Sequence, residues 1–266
     1  MNTRLFLHFF RAAGVALLSF PAFAADPSPA TVTPPATAEE LIKKGAEFDD
    51  RFDAKDALQY YDQAEKLDPK NAEVLLRIAR QYRYMLADAS SKAEKLRLGH
   101  IALGYSERAA AAGPKDPEAQ LSIAITLGKM LPYMNSKDQV AATPRIKESV
   151  DKALALDPRD DTAWDILGRW NRVLADISGL KRLLAGAVYG KLPKGSNEEA
   201  EACLHKAIAL NPHRLMHYVE LGRVYAQMGR KDDARRCIDK ALSMPNREKD
   251  DPETKERGRE ALAKLK

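Results

Sequence analysis

The sequence predicts an all-α fold: a solenoid of about five irregular helical hairpins with a further helix capping its C-terminal end. Three observations carry this expectation. Ala-rich helix ends recur as QAEKLDP (63–69), RAAAAGP (108–114), KALALDP (152–158), KAIALNP (206–212) and KALSMP (240–245). Apolar residues return at spacings of three and four along most of the chain. No sustained alternation of β-branched residues marks a strand. At each recurrence a small Ala lets two helices approach closely, and the following Pro keeps the chain from continuing as helix.

The last unit sets the period. Counting from Leu215 puts Tyr218, Leu221, Gly222 and Tyr225 on one helix and Ala234, Ile238 and Ala241 on the next. This resembles the 34-residue tetratricopeptide pattern. The first unit, counted from Ala38, repeats it with Leu41, Gly45 and Phe48, then Ala57, Tyr61, Ala64 and Pro69. Between these two the hairpins are stretched: Ala72 to Ala109, Pro117 to Ala153 and Asp161 to Ala207 exceed the usual span by 11, 10 and 20 residues. A large side chain at Ala207 or Ala241 is expected to overpack its hairpin and cost about 1–3 kcal/mol. Calorimetry that registered no change would refute this register.

Before the repeats, Arg4, the apolar stretch 12–20 and the ending Pro21-Ala22-Phe23-Ala24 read as a secretory signal with cleavage after Ala24. An uncleaved membrane anchor is the alternative, but His8 and Arg11 hold the apolar run below the ~20 residues a span needs. No Cys follows the run, so a lipid-anchored precursor is not expected, and no later segment is apolar enough to span. The mature chain is therefore expected in the periplasm or outside the cell. Residues 25–37 carry Pro27, Pro29, Pro34 and Pro35 among Ala, Ser and Thr and read as a disordered linker. Thr37 with Glu40 forms a capping box that opens the first helix. Residues 38–266 are then one helical repeat domain.

Charge excludes one function class. Net charge falls from +5 to +3 when Arg4 and Arg11 leave with the signal, and residues 246–266 mix seven basic with six acidic side chains. Lys and Arg are interleaved with Asp and Glu, unlike the one-sided basic excess of a nucleic-acid binder. Cys203 and Cys237, 34 residues apart, hold equivalent places in neighbouring units. Such places lie about one helix-packing distance apart, roughly 8–10 Å, beyond the ~7 Å reach of a disulfide. Buried free thiols are expected, although an exporting compartment permits a bridge.

Motifs for chemistry are weak. His213 and His217 share a helix face at the spacing of a metal pair, but Arg214 stands where a zinc protease needs Glu. The Gly186-x-x-x-Gly190-Lys191-Leu192 string is one residue short of a phosphate loop and lacks Ser or Thr after Lys. No Ser, His and acid grouping stands out. The expectation is a protein that is not an enzyme, with no cofactor, no metal and no catalytic residues.

Two surfaces remain as binding candidates. The ligand-facing positions of the first helix in each repeat hold Arg80, Arg83, Arg169, Arg172 and Arg223. Several guanidinium forks in one groove suit carboxylates or phosphates. The bland alternative is helix-surface pairing, with Asp165 four before Arg169, Glu220 three before Arg223 and Asp176 four after Arg172. The second surface is the insertion of the fourth unit. There Trp170, Val173, Leu174 and Ile177, a break at Ser178-Gly179, and Leu180, Leu183, Leu184 and Val188 are flanked by Lys181, Arg182, Lys191 and Lys194. It reads as a basic amphipathic element meeting a membrane or a partner helix, or as a helix plugging the concave side of its own solenoid. Ser196 with Glu199 then caps the next helix.

Taken together, LGRW (167–170), AGAVYGKLPKGSNEEA (185–200), KAIALNP, LGRVYAQMGRKDDA (221–234) and PNREKDDPETKERGREAL (245–262) resemble the regulator of microtubule dynamics family over residues 72–266. The resemblance implies an interaction protein without catalytic residues. Members in eukaryotes associate with microtubules and spindle poles, and phospholipid binding has been proposed for some. A cleavable export signal points instead to an exported, bacterial member with a different partner. The expected function is a non-catalytic scaffold that takes a protein or acidic peptide on its concave face. The alternative is an anionic-phospholipid binder or carrier.

Overall fold

The computed structural model describes residues 37–179, 182, 186 and 192–265, and within them all regular structure is helical. The signal and linker expectations for residues 1–36 lie outside these residues. The first hairpin is α1 (Ala38–Asp49) with α2 (Ala54–Leu67), and the second is α3 (Ala72–Asp88) with α4 (Lys92–Ala112). A third pairs α5 (Pro117–Met130) with α6 (Ser136–Leu156), joined by the short turn Leu131–Tyr133. The fourth pairs α7 (Asp161–Ala175) with α8 (Asn197–Leu210), and the fifth α9 (Leu215–Gln227) with α10 (Lys231–Ser243). The last helix, α11 (Asp251–Ala263), packs on α9 and α10 as the expected cap. Each hairpin packs on the next, and the first helices α3, α5, α7, α9 and α11 also touch in succession along one face.

Local chemistry explains where the helices begin. Thr37 Oγ1 accepts from Glu40 N, and Glu40 accepts from Thr37 N, completing the capping box. Asp53, Asn71, Ser91, Asp116, Asn135, Asp160 and Ser196 each accept a backbone N–H from their helix's first turn. Each such cap removes an orphan donor and contributes about 1 kcal/mol. The extra length of the second and third units lies largely in helix, because α4 and α6 each run 21 residues. In the fourth unit it lies between α7 and α8 instead.

The repeat register is visible as burial. Ala64, Ala109, Ala153, Ala207 and Ala241, the small residues of the five recurring ends, are all fully buried. Close approach also requires glycine at two equivalent places on the first helices. A Cβ at Gly168 would stand 2.7 Å from Leu204 Cγ, and one at Gly222 would stand 2.5 Å from Ile238 Cγ1 and 3.0 Å from the Ala234 carbonyl oxygen. Gly222→Ala is therefore expected to push α9 off α10 and cost about 1–3 kcal/mol, measured by urea unfolding. A variant as stable as the parent would show that the hairpin can open at no cost. Cys203 is buried, Cys237 half-buried, and both are free thiols. Burial pushes the Cys203 thiol up to about 11 and raises that of Cys237 as well.

Candidate functional site

Glu220 is the centre of the inner face. It sits on α9 between Val219 and Leu221, and its side chain has no exposure. Arg223, one turn on, donates to both carboxylate oxygens at 3.0 Å. Arg169 Nε and Arg172 Nη2 approach from α7 at 3.7 and 3.8 Å, and Arg257 Nη2 from α11 at 4.0 Å. Burial alone would raise the carboxyl, but Arg169, Arg223, Arg172 and Arg257 together hold it down at about 2. Three of the sequence-selected arginines, on α7 and α9, thus meet one carboxylate, and Arg257 of the capping helix α11 joins them. Sequence spacing suggested an exposed pair along one helix for Glu220 and Arg223; the pair exists, but inside a buried cage.

A cleft of about 290 Å³ opens on the far side of this cage. Arg172, Arg223, Arg257 and Lys264 line it with Glu260, Ala226, Ala261 and Leu265. Cations thus outnumber carboxylates there. The buried Nε of Arg172 and that of Arg257 find no hydrogen-bond partner among the described residues. Gln227 holds Arg172 in place, donating to its carbonyl at 3.0 Å. The arrangement can accept a further carboxylate or phosphate by charge-assisted hydrogen bonds.

Beside the cage, His217 is fully buried between two acids of α7. Its Nε2 lies 2.8 Å from Asp161 Oδ2 and its Nδ1 3.0 Å from Asp165 Oδ1. Burial opposes the charged ring, but bonds to Asp161 and Asp165 outweigh it and raise its pKa. Arg214 also reaches Asp161, at 3.0 Å. His213, by contrast, is exposed. His217 therefore belongs to an ion network clamping α7 to α9, and the described residues hold no cluster suited to a metal ion.

Arg80 and Arg83 occupy the front of the same face. Arg80 bridges Asp49 at 3.5 Å and Glu118 at 2.8 Å. Arg83 is buried and donates to the Ser122 and Thr126 hydroxyls at 3.1 and 3.3 Å. Burial, with the charge of Arg80, pulls its guanidinium down to about 10. The five sequence-selected arginines therefore fall into two groups, Arg80 with Arg83 and Arg169 with Arg172 and Arg223. Arg169 also lies 3.9 Å from Asp165, the spacing partner expected on its own helix. Arg172 turns to Glu220, with Asp176 acting only as a weaker, more distant charge.

Of the insertion surface, Lys181, Leu184 and Lys191 lie outside the described residues. Arg182 donates to the carbonyls of Leu174, Leu192 and Pro193, so it closes the end of α7 rather than facing a partner. Trp170 donates its indole N–H to the Thr143 carbonyl at 3.0 Å, and Leu174 is buried, while Val173 stays exposed. Sequence reading missed Arg257, Lys264 and Lys129. The first two sit on the mixed-charge cap, where no repeat position singles them out.

Fold and face together define a tetratricopeptide-type repeat scaffold. Among solved structures, a thermophilic TPR protein of Thermus thermophilus superposes with a TM-score of 0.58 at 18% identity, covering 85% of this chain and 100% of that one. PilF of Pseudomonas aeruginosa gives 0.51 at 14% identity, over 86% of this chain and 88% of its own. The family model described as regulator of microtubule dynamics protein 1-3 matches residues 37–266, and the chain belongs to that family. Mouse regulator of microtubule dynamics protein 1 is 26% identical over 99% of this chain and 87% of its own length. The bovine protein 1 is 29% identical over 68% of this chain, and macaque protein 2 is 26% identical over 73%. Those matches span 58% and 48% of the bovine and macaque proteins. Among the described residues no helix is long and apolar enough to cross a membrane.

Proposed function

We propose that the chain is an exported, non-catalytic repeat scaffold that binds an acidic peptide segment of a partner protein on its inner face. The observation that carries this reading is the cleft beside Glu220, lined by Arg172, Arg223, Arg257 and Lys264 against the single carboxylate of Glu260. Glu220 neutralises part of this charge and fixes the guanidinium planes, so an incoming carboxylate meets preset donors. Arg80, Arg83 and Arg169 lie along the same succession of first helices, with Arg83 buried and Arg80 paired with Asp49 and Glu118. Export follows from the Ala24 cleavage signal and would place the partner in the cell envelope or outside it.

The test uses a photo-crosslinking residue at Ala261, which lines the cleft. The full chain, irradiated in its native envelope fraction, is expected to trap a recurrent protein through an acidic segment. Lys264→Glu, which reverses charge without touching the Glu220 cage, should cut that yield by about tenfold, the equivalent of 1.4 kcal/mol. Yield indifferent to the reversal would overturn the reading. Anionic lipid trapped in place of protein would transfer the site to the lipid alternative.

A further inference from the structure

The link between α10 and α11 does not take the shortest course around the outside of the last repeat; it reaches back across the first helices. Met244 starts it, buried against Leu215, Val219 and Ala241. Glu248 then accepts from Arg214 at the start of α9 at 3.0 Å. Lys249 donates to Asp88 at the end of α3 at 3.0 Å, across 161 residues of sequence. Asp250 pairs with Lys129 in the last turn of α5, across 121 residues. Three consecutive side chains thus bind three different repeats.

The segment is held in shape from within. Asp251, buried, accepts from the backbone N–H of Arg247 at 2.7 Å and of Glu248 at 2.8 Å. Lys255 donates to the Met244 carbonyl at 2.5 Å. Beneath the segment lies a small cationic floor. Arg83 has only hydroxyl partners, and Asp250 is the single carboxylate in contact with Lys129 among the described residues. The charge of Asp250 also bears on Arg83 and Arg169. The opposing Asp250 oxygen, Oδ1, is buried without a hydrogen bond among the described residues. The strap is half-exposed to exposed over residues 245–250, so lifting it disturbs only the first turn of α11, where the Asp250 carbonyl accepts from the Thr254 N–H.

A turn whose carboxylates Glu248 and Asp250 sit on Arg214 and Lys129 shows how acidic side chains of a partner could be held on this face. We propose that residues 248–250 are a tethered, replaceable ligand of that face, and that an acidic linear segment of a partner protein takes their place on Lys129 and Arg83. This rests on the scaffold reading above and adds its regulation: the free protein is self-occupied, and binding requires displacement. A tethered competitor lowers apparent affinity by the fraction of time it is seated.

The probe is a fluorescent peptide reproducing residues 244–253, titrated against the full chain. Lys249→Ala/Asp250→Asn, which frees the strap, is expected to bind it at least tenfold more tightly than wild type, and adding Lys129→Ala should remove the gain. Equal affinity for wild type and the freed variant overturns the proposal. Should that variant melt early, Glu248→Ala/Lys249→Ala keeps Asp250 and is read by hydrogen exchange. Saturating peptide should then speed exchange of the backbone amides at positions 247 and 248, which donate to Asp251; unchanged exchange overturns the proposal equally. The two readings fail separately. Equal affinities that both drop with Lys264→Glu reject the strap and leave the cleft standing, whereas a cleft crosslink indifferent to that reversal beside a preserved tenfold gain does the opposite.

Discussion

Replacing Glu220 by Gln is expected to lower the unfolding free energy by about 3–5 kcal/mol, the usual cost of removing one partner from a buried ionic set. The amide keeps the shape and loses the charge. Arg169, Arg172, Arg223 and Arg257 would then face one another across the old carboxylate position with nothing to neutralise them. Urea unfolding at neutral pH measures the loss directly, and a change below about 1 kcal/mol would show that solvent already screens the cage. The sign with pH follows from a carboxyl held at about 2 in the folded chain. Its stabilisation is complete above the ordinary carboxylate range and is lost as pH falls through about 2. Wild type should therefore lose stability over that acid window while the Gln variant, already without the charge, loses less there.

His217→Leu should be of comparable size, about 3–5 kcal/mol, because Asp165 has no exposure and Asp161 little, and both lose the cation between them. Both ring nitrogens face carboxylate oxygens, so both must carry protons; a neutral ring would turn a lone pair toward one of the acids. The folded pKa of the ring is raised above its ordinary 6.5. Its contribution is therefore full below that ordinary value and disappears as pH rises through the raised one. On this alkaline limb wild type should weaken and His217→Leu should stay flat. Arg214 and Arg169, the other charges against the two acids, remain ionised throughout this range and do not produce the slope. Parallel curves for the two proteins across neutral to mildly alkaline pH would place the ring's titration elsewhere.

The fold was largely legible because its determinants are local and periodic. Ala64, Ala109, Ala153, Ala207 and Ala241 mark helix crossings that accept nothing larger, and Thr37 with Glu40 announces the first turn by capping chemistry alone. The arginines at equivalent repeat positions could be found in the same way. Their partners could not. Glu220 sits three before Arg223, which reads as an ordinary surface pair; only the stacking of α7, α9 and α11 shows that four guanidiniums share it. Spacing gave no signal, because the repeat pattern turns Tyr218, Leu221, Gly222 and Tyr225 inward and leaves position 220 off that face. Arg257 and Asp250 carried none. They lie in a mixed-charge stretch beyond the repeats, and what gives them meaning is contact with residues more than thirty positions away.

The strap has one consequence for how the molecule comes apart. A row of repeats that touch only their neighbours unfolds from its ends, each terminal unit fraying with little help from the rest. Here the segment after the fifth hairpin is fastened to α3 and α5, so fraying of the last units must also break its pairs with the second and third. The row behaves as a loop of coupled units, with a long closure raising contact order and slowing folding. Loss of the Lys129 and Asp250 pair should split one sharp unfolding transition into two, with the final hairpin leaving first. Hydrogen exchange read separately on α10 and α4 would resolve them.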